Sequence, residues 1–354
     1  MSAPQSAASA PLARRLVLHA GMQKTGSTSI QHFLDTGVLK NARYFKGSRP
    51  NHSLWFMSMF GDNPEAHRTH RLRGRSREQV LQIREDQKAE IAAELDGSDI
   101  ATYVFSGERI SKSSRTEMER SQAFFSRWFP EIEVYAYIRS PAKFAASMFQ
   151  QHLKFGNLPT IPNILPGYRA RIENLEAAFG RDHVHLRAFD AASDRISDIV
   201  PDFLDWAGLE VGVEAQGPRN LSLSGEATAL LYAVMRGLNR SLKTAEDVRF
   251  WNILVQRAQA LGDQKYSFDA DIFGQRRDQM LEDHAWVEQR LGQQFPDPLV
   301  PDAVPLRFAS LEEVRQHGLK LFKARTGKRL GRLGGKDKPL QLGRVIGLLE
   351  QAGS

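Results

Sequence analysis

The chain has 354 residues, no cysteine and a net charge of +7 at neutral pH. Without cysteine, neither a disulfide framework nor a thiolate metal site is possible. No apolar run approaches the ~20 residues that a membrane-spanning helix needs. The N-terminal stretch MSAPQSAASAPLARR also lacks the apolar core of a secretory signal, so a soluble, cytoplasmic protein is expected. Residues 320–344 hold nine Lys/Arg and one Asp, which leaves 39 basic and 40 acidic residues elsewhere. The basic character therefore belongs to a tail and does not imply nucleic-acid binding by the whole surface. A second basic concentration lies within the body, at Arg68, Arg71, Arg73, Arg75 and Arg77.

Residues 1–13 are rich in Ala, Ser and Pro, the composition of a disordered tail. Arg15 to Ala20 reads as a buried strand. After a turn with Gly21 and Gly26 comes a helix, in which Ile30, Phe33 and Leu34 repeat at the spacing of one buried face. Residues 41–75 read as loops with one short helix around the apolar patch Leu54 to Phe60. Arg77 to Leu95 reads as a polar helix, Ala101 to Phe105 as a strand and Arg115 to Phe129 as a helix. Ile132 to Ile138 is the next strand, and Pro141 to Lys154 the next helix, with proline in the first turn where it is tolerated. Val184 to Phe189 is a further strand, and a helix follows it to about Trp206. This β-then-α alternation implies an α/β fold with a parallel sheet flanked by helices. From Ser224 onward the periodicity is helical, as in Leu230, Leu231, Val234 and Leu238, and residues 326–340 read as a loop. The expected organisation is a tail over 1–13, a domain over 14–318 whose α/β core ends near 215 and whose helical part runs over 216–318, and a basic segment over 319–354.

Between the first strand and its helix lies Gly21-Met-Gln-Lys24-Thr25-Gly26-Ser27-Thr28-Ser29. A strand, a tight turn and a helix N-terminus together make an anion site, because the first helical N–H groups have no intrahelical partner and the helix dipole adds positive potential. Gly26 permits close backbone approach. Three consecutive hydroxyl residues follow it, and Lys24 adds a cation. A Walker A loop carries its Lys after the second Gly, whereas Lys24 precedes Gly26. The dinucleotide fingerprint GxGxxG is absent. A second junction follows about a hundred residues later, in Val134-Tyr-Ala-Tyr-Ile-Arg139-Ser-Pro141, with Ser147 eight residues after Arg139. An Arg at a strand's C-terminal end stands where open α/β sheets bind ligands, and its planar fork suits a phosphate.

The order Lys-Thr-Gly-Ser-Thr after a strand, followed by Arg-x-Pro and a Ser, resembles the sulfotransferases that use 3′-phosphoadenosine 5′-phosphosulfate (PAPS), in particular bacterial carbohydrate-type members. The resemblance covers about residues 15–210 in pattern and is sharp only at 21–29 and 134–154. It implies a P-loop-like core and transfer of a sulfuryl group from PAPS to an acceptor hydroxyl, with PAP as product. It also implies that Lys24, Thr25, Gly26, Ser27, Thr28 and Ser29 hold the 5′-phosphosulfate and that Arg139 and Ser147 hold the 3′-phosphate. Lys24 would stabilise the leaving phosphate, and no metal is expected. The family often has Tyr two residues after that Ser, where this chain has Phe149.

An attacking hydroxyl must lose its proton, and a positioned base typically contributes ~10²–10⁴-fold. The resemblance points to His52, in Asn51-His52-Ser53, as the first choice of base; Glu108, in Ser106-Gly-Glu108, suits an alternative base, an orienter of Lys24 or of the acceptor, or a helix N-terminal charge, with Ser106 as a lesser candidate. The pairs His67-x-x-His70 and His183-x-His185 lack an evident third ligand and read as non-metal. The Arg68–Arg77 cluster suits an anionic acceptor, the adenosine side of the donor or simple solvation, while the basic tail suits a polyanion or no partner. Two rival functions remain open on sequence. One is a P-loop nucleotide kinase, which needs ATP and Mg²⁺. The other is a non-catalytic protein that binds PAP or polyanions.

Overall fold

A computed structural model of the chain describes residues 14–47, 49–189, 199–213, 222–238, 242, 244–295, 306–332 and 341–352. The expected tail over 1–13 lies outside them, as do the Arg68 side chain and residues 333–340 of the basic segment. The chain forms two compact units, one from Met1–Ile138 with Tyr168–Pro218, the other from Arg139–Gly167 with Arg219–Ser354.

The first unit is built on strands β1 (Arg15–His19), β3 (Arg43–Tyr44), β4 (Thr102–Ser106), β5 (Glu131–Ile138) and β6 (Val184–Ala188). They pair in the order β3-β4-β1-β5-β6, all parallel. The central strand β1 is buried along almost its whole length, as expected of a strand covered on both faces. Successive side chains point to opposite faces. On one face Val17 and Val104 join Ile30, Phe33 and Leu34 of α1 (Ser27–Thr36) and Phe203 of the helix Ile199–Trp206. On the other, Tyr103 and Phe105 meet Phe45, Phe125 and Phe129, with Phe45 and Tyr103 4.8 Å apart by ring centroids. Each fully buried ring of this kind stabilises by about 1.5–3 kcal/mol relative to exposure.

Three features of this unit differ from the sequence reading. The stretch over 41–75 contributes the edge strand β3, too short to show a period of two, and a second helix, Arg68–Leu72. Before it comes α2 (Ser53–Phe60), the expected short helix. Next, α5 (Arg115–Phe125) stops four residues before Phe129; its start is fixed by a capping box between Ser114 and Glu117. The third is a helix over Tyr168–Phe179, which sequence periodicity did not single out and which buries Tyr168, Ile172, Leu175 and Phe179.

In the second unit the helix Pro141–Lys154 buries Phe149 against Tyr232 and Phe268, at 5.1 and 5.2 Å between centroids. Helices Gly225–Leu238 and Leu311–Thr326 pack together, and the strands Tyr266–Phe268 and Leu306–Phe308 pair in parallel. The expected boundary at 318/319 falls inside the helix Leu311–Thr326, which carries Lys320, Lys323 and Arg325 of the basic segment.

Candidate functional site

The connection after β1 runs to β3 on one side of the sheet and the connection after its neighbour β5 runs to β6 on the other, so the C-terminal end of β1 lies at a reversal of strand order, where α/β sheets hold ligands. Two loops meet there. The loop after β1 leads into α1, whose N-cap is Gly26 with φ of 75°. Lys24, with φ of 66°, is the one non-glycine residue in the left-handed region among those described. Such backbone is costly for a side chain-bearing residue and concentrates at functional turns. Left-handed residues two apart curl the backbone so that successive N–H groups converge on one concavity. Among the described residues nothing accepts from the amides of Thr25, Gly26, Ser27 and Thr28. The first turn of α1 carries no acidic side chain. Thr25 and Ser27 turn their hydroxyls inward, donating to the Met22 carbonyl at 2.6 and 3.2 Å. Thr28 is exposed and Ser29 buried. In this geometry the hydroxyls of Thr25 and Ser27 hold the loop's shape, and the donors the loop offers to a ligand are those of its backbone.

The loop after β4 is tied to the first. Gly107 N–H donates to the His19 carbonyl at 3.2 Å, and the Ser111 hydroxyl, buried, reaches the carbonyls of both Gly21 and Glu108 at 3.1 Å. Glu108 follows, half-buried; a Cβ at Gly21 would stand in ordinary contact with its Cγ at 3.5 Å but only 2.7 Å from the Ser27 hydroxyl, so it is Ser27 that glycine leaves room for. Burial pushes the Glu108 carboxyl above its ordinary range, against the opposing charges of Lys112 and Lys24. A carboxyl so shifted is a better proton acceptor near neutral pH than an exposed one.

His52 stands beside Ser106 and under the loop of Glu108, but it is buried, with 1% of its surface exposed. Its ring stacks on Tyr44 at 4.5 Å and packs on Phe105 at 4.5 Å and Trp55 at 5.5 Å. Nδ1 accepts from the Ser106 amide at 3.2 Å, and Nε2 has no hydrogen-bond partner among the described residues. Burial, helped by the charge of Lys46 and opposed by the Phe45 carbonyl, pushes its pKa down to about 3. Ser106 also hydrogen-bonds Nδ1 of His19 at 2.7 Å, and burial alone pushes His19 down to about 3. Both rings are therefore neutral at physiological pH. Sequence reasoning passed over His19 because it sits inside an apolar strand. Ser111 and Lys112 were also missed, having no local pattern.

In the second unit, Arg139 donates from Nη1 to the Ser147 hydroxyl at 3.0 Å, so the strand-end arginine and the serine eight residues on are brought together. Phe149 is a core residue of that unit. Of the arginine cluster, Arg77 pairs with Glu65 at 2.5 Å and Arg75 contacts His70 at 3.1 Å. His70 is buried and hydrogen-bonds Ser58, so its pair with His67 is structural. His183 and His185 share Glu133, a residue that no spacing in the chain joins to them; each histidine takes one of its oxygens. Among the described residues no group of three side chains is arranged to hold a metal ion, and no helix is long and apolar enough to cross a membrane.

Fold and loops together define an α/β protein with a five-stranded parallel sheet and a left-handed turn into a helix at the end of its central strand. No family model matches the chain, and no curated protein matches it. It is similar in structure to a crystallised sulfotransferase from Alicyclobacillus acidocaldarius, at 14% identity and a TM-score of 0.38, over 62% of this chain and 91% of that one.

Proposed function

We propose that the chain transfers a sulfuryl group from PAPS to an acceptor hydroxyl, with a carbohydrate as the acceptor class. The observation that carries this reading is the meeting, at the C-terminal ends of β1 and β4, of four amides with no acceptor among the described residues, the Lys24 loop and the half-buried Glu108. The cradle suits the 5′-phosphosulfate. Arg139 and Ser147 are the proposed ligands of the 3′-phosphate.

In this mechanism the acceptor oxygen attacks sulfur while the bond from sulfur to the 5′-phosphate oxygen breaks. The SO₃ group passes to the acceptor, whose proton goes to the Glu108 carboxylate. The electron pair of the broken bond stays on the 5′-phosphate of PAP. Lys24 and the amides of residues 25–28 stabilise that charge, already in place before it develops. Glu108 is the base of choice over His52, because a ring with a pKa near 3 and Nδ1 engaged by Ser106 is a poor proton acceptor. His52 acts as a positioning residue for the loop of Glu108.

The test compares the native chain with Lys24→Ala in sulfuryl transfer from PAPS to sugar hydroxyls, alongside PAP calorimetry. The expected outcome is a turnover lowered by about 10²–10³-fold, as when one pre-placed donor is removed, with a smaller loss of PAP affinity. Phosphate transfer from ATP that requires Mg²⁺, or no binding of PAP, overturns the reading. PAP binding without transfer to any hydroxyl leaves the rival binding protein.

A further inference from the structure

A cleft of about 350 Å³ opens in the first unit, within the lower range of small-molecule sites; Glu108 does not line it, but its sequence neighbour Arg109 does, and so does Lys112, whose charge acts on Glu108. Its walls include Asp62, Arg109, Lys112, Ser114 and Glu117, with Asn174 from the helix Tyr168–Phe179. Two of its carboxylates are already satisfied. Glu117 takes the Arg109 guanidinium at 3.0 and 3.2 Å and the amides of Asp62 and Ser114 at 3.0 and 3.1 Å. Asp62 is paired with Arg120 and accepts from the Ser114 hydroxyl at 3.3 Å.

Lys112 is different. Among the described residues no carboxylate lies within 4.0 Å of its ammonium. The residue is exposed overall and lines the cleft, where it is partly desolvated. That partial desolvation, followed by repulsion from Arg171 one turn before Asn174, pushes its pKa down to about 8, against the weaker attraction of Glu108. A positive group held beside another positive group, with only the weaker attraction of Glu108 opposing that repulsion, is stabilised by an anion that enters. Asn174 donates its side-chain amide to the Ser113 carbonyl at 3.2 Å, which leaves its carbonyl oxygen to accept from a ligand hydroxyl.

We propose that this cleft is the acceptor subsite and that Lys112 selects acceptors carrying an anionic substituent, a carboxylate or a phosphate, beside the hydroxyl presented to Glu108. The inference rests on the proposed sulfuryl transfer for its role, but its binding chemistry stands apart from the donor loop. An anionic sugar fits both features, since the charge meets Lys112 and a ring hydroxyl meets Asn174.

Binding of glucuronic acid, glucose 6-phosphate and glucose is measured by ligand-observed NMR on the native chain, Lys112→Ala and Lys112→Arg, with excess PAP present to occupy the donor loop. PAP affinity is measured separately for each variant. The native chain is expected to bind one or both anionic sugars at least about tenfold tighter than glucose, the scale of a single partly desolvated charge contact. Lys112→Ala is expected to lose that preference and Lys112→Arg to keep it, with PAP affinity unchanged in both. Preference for only one anionic sugar identifies the carboxylate or the phosphate as the group selected. An equal response to all three probes, absence of binding included, overturns the proposal, as does an anion preference that survives Lys112→Ala. Loss of PAP binding by the native chain instead strikes the donor assignment and leaves the comparison of sugars readable.

Discussion

Ser106 and His52 are joined twice: the Ser106 amide donates to Nδ1 of His52 at 3.2 Å, and the His52 amide donates to the Ser106 carbonyl at 2.9 Å. With Nδ1 accepting, the ring hydrogen resides on Nε2, so the tautomer is set by the main chain of β4. Two residues after Ser106 comes Glu108. The Arg109 amide donates to the Ser53 hydroxyl at 3.0 Å, so the segment after His52 also holds the far side of Glu108.

This arrangement separates the two base candidates. Glu108→Gln is expected to lower turnover by about 10²–10⁴-fold with PAP affinity retained. If the native chain transfers sulfuryl groups as proposed, its activity should fall as pH drops through the Glu108 pKa, which is raised, because only the ionised carboxylate accepts a proton. His52→Ala should lose stability by about 2–4 kcal/mol, from the cavity and the unpaired Ser106 amide, while the acidic limb of the pH–rate profile persists in the folded fraction. A limb that vanishes in a folded His52 variant and persists in Glu108→Gln would reverse the assignment.

Gly26 turns the loop at a φ of 75°, and a Cβ there would stand 3.1 Å from the Ile199 side chain. Gly26→Ala therefore combines left-handed strain of about 1–2 kcal/mol with a crowded contact. Urea denaturation should show a lower midpoint, and PAP binding should weaken further because the amides of residues 25–28 no longer converge. An unchanged midpoint with unchanged PAP affinity counts against the cradle.

Arg139 holds Ser147 through one hydrogen bond at 3.0 Å. If both serve the 3′-phosphate, Arg139→Ala should cost more PAP affinity than Ser147→Ala, since bonds from a charged donor are about twice as strong as neutral ones. Adenosine 5′-phosphosulfate, which lacks the 3′-phosphate, should bind native chain and Arg139→Ala alike. Calorimetry with the two nucleotides checks this, and an equal loss for both would remove Arg139 from 3′-phosphate recognition.

Glu133 bridges His183 and His185 at the opposite end of strands β5 and β6. The hydrogen bond from His183 to Glu133, at 2.6 Å, raises the histidine pKa above its ordinary value, against a small effect of burial. A histidine raised in the folded state stabilises fully below its unfolded pKa of about 6.5. That stability is lost as pH rises through the folded value. For Glu133, burial pushes the pKa up, but the two histidines more than offset it and the net shift is down. Its contribution is present above the unfolded carboxylate range and disappears as pH falls through the folded value. Denaturation midpoints should thus fall on both sides of a window between the two, and Glu133→Gln should flatten the profile. A profile identical to native would dismiss the cluster as a stabilising element.

Much of the architecture was legible because it is written locally. The apolar runs of β1, β4, β5 and β6, and the glycine-containing turn before the periodic residues Ile30, Phe33 and Leu34, each carry their signal within a dozen residues. The short strand β3 and the helix Tyr168–Phe179 escaped, the first for want of length and the second for a weak apolar period.

Sequence alone determined where the glycine turn and the helix start after β1 fall, since a left-handed glycine at a helix N-terminus depends only on neighbours along the chain. Tertiary structure decided what surrounds it. The burial of His52 beneath rings from Tyr44 and Phe105, the tie through Ser111, the Lys112 cleft and the hold of Glu133 on two histidines all join residues far apart in sequence. Desolvation and hydrogen bonding follow the neighbours that crossovers bring together, and no spacing in the chain encodes them.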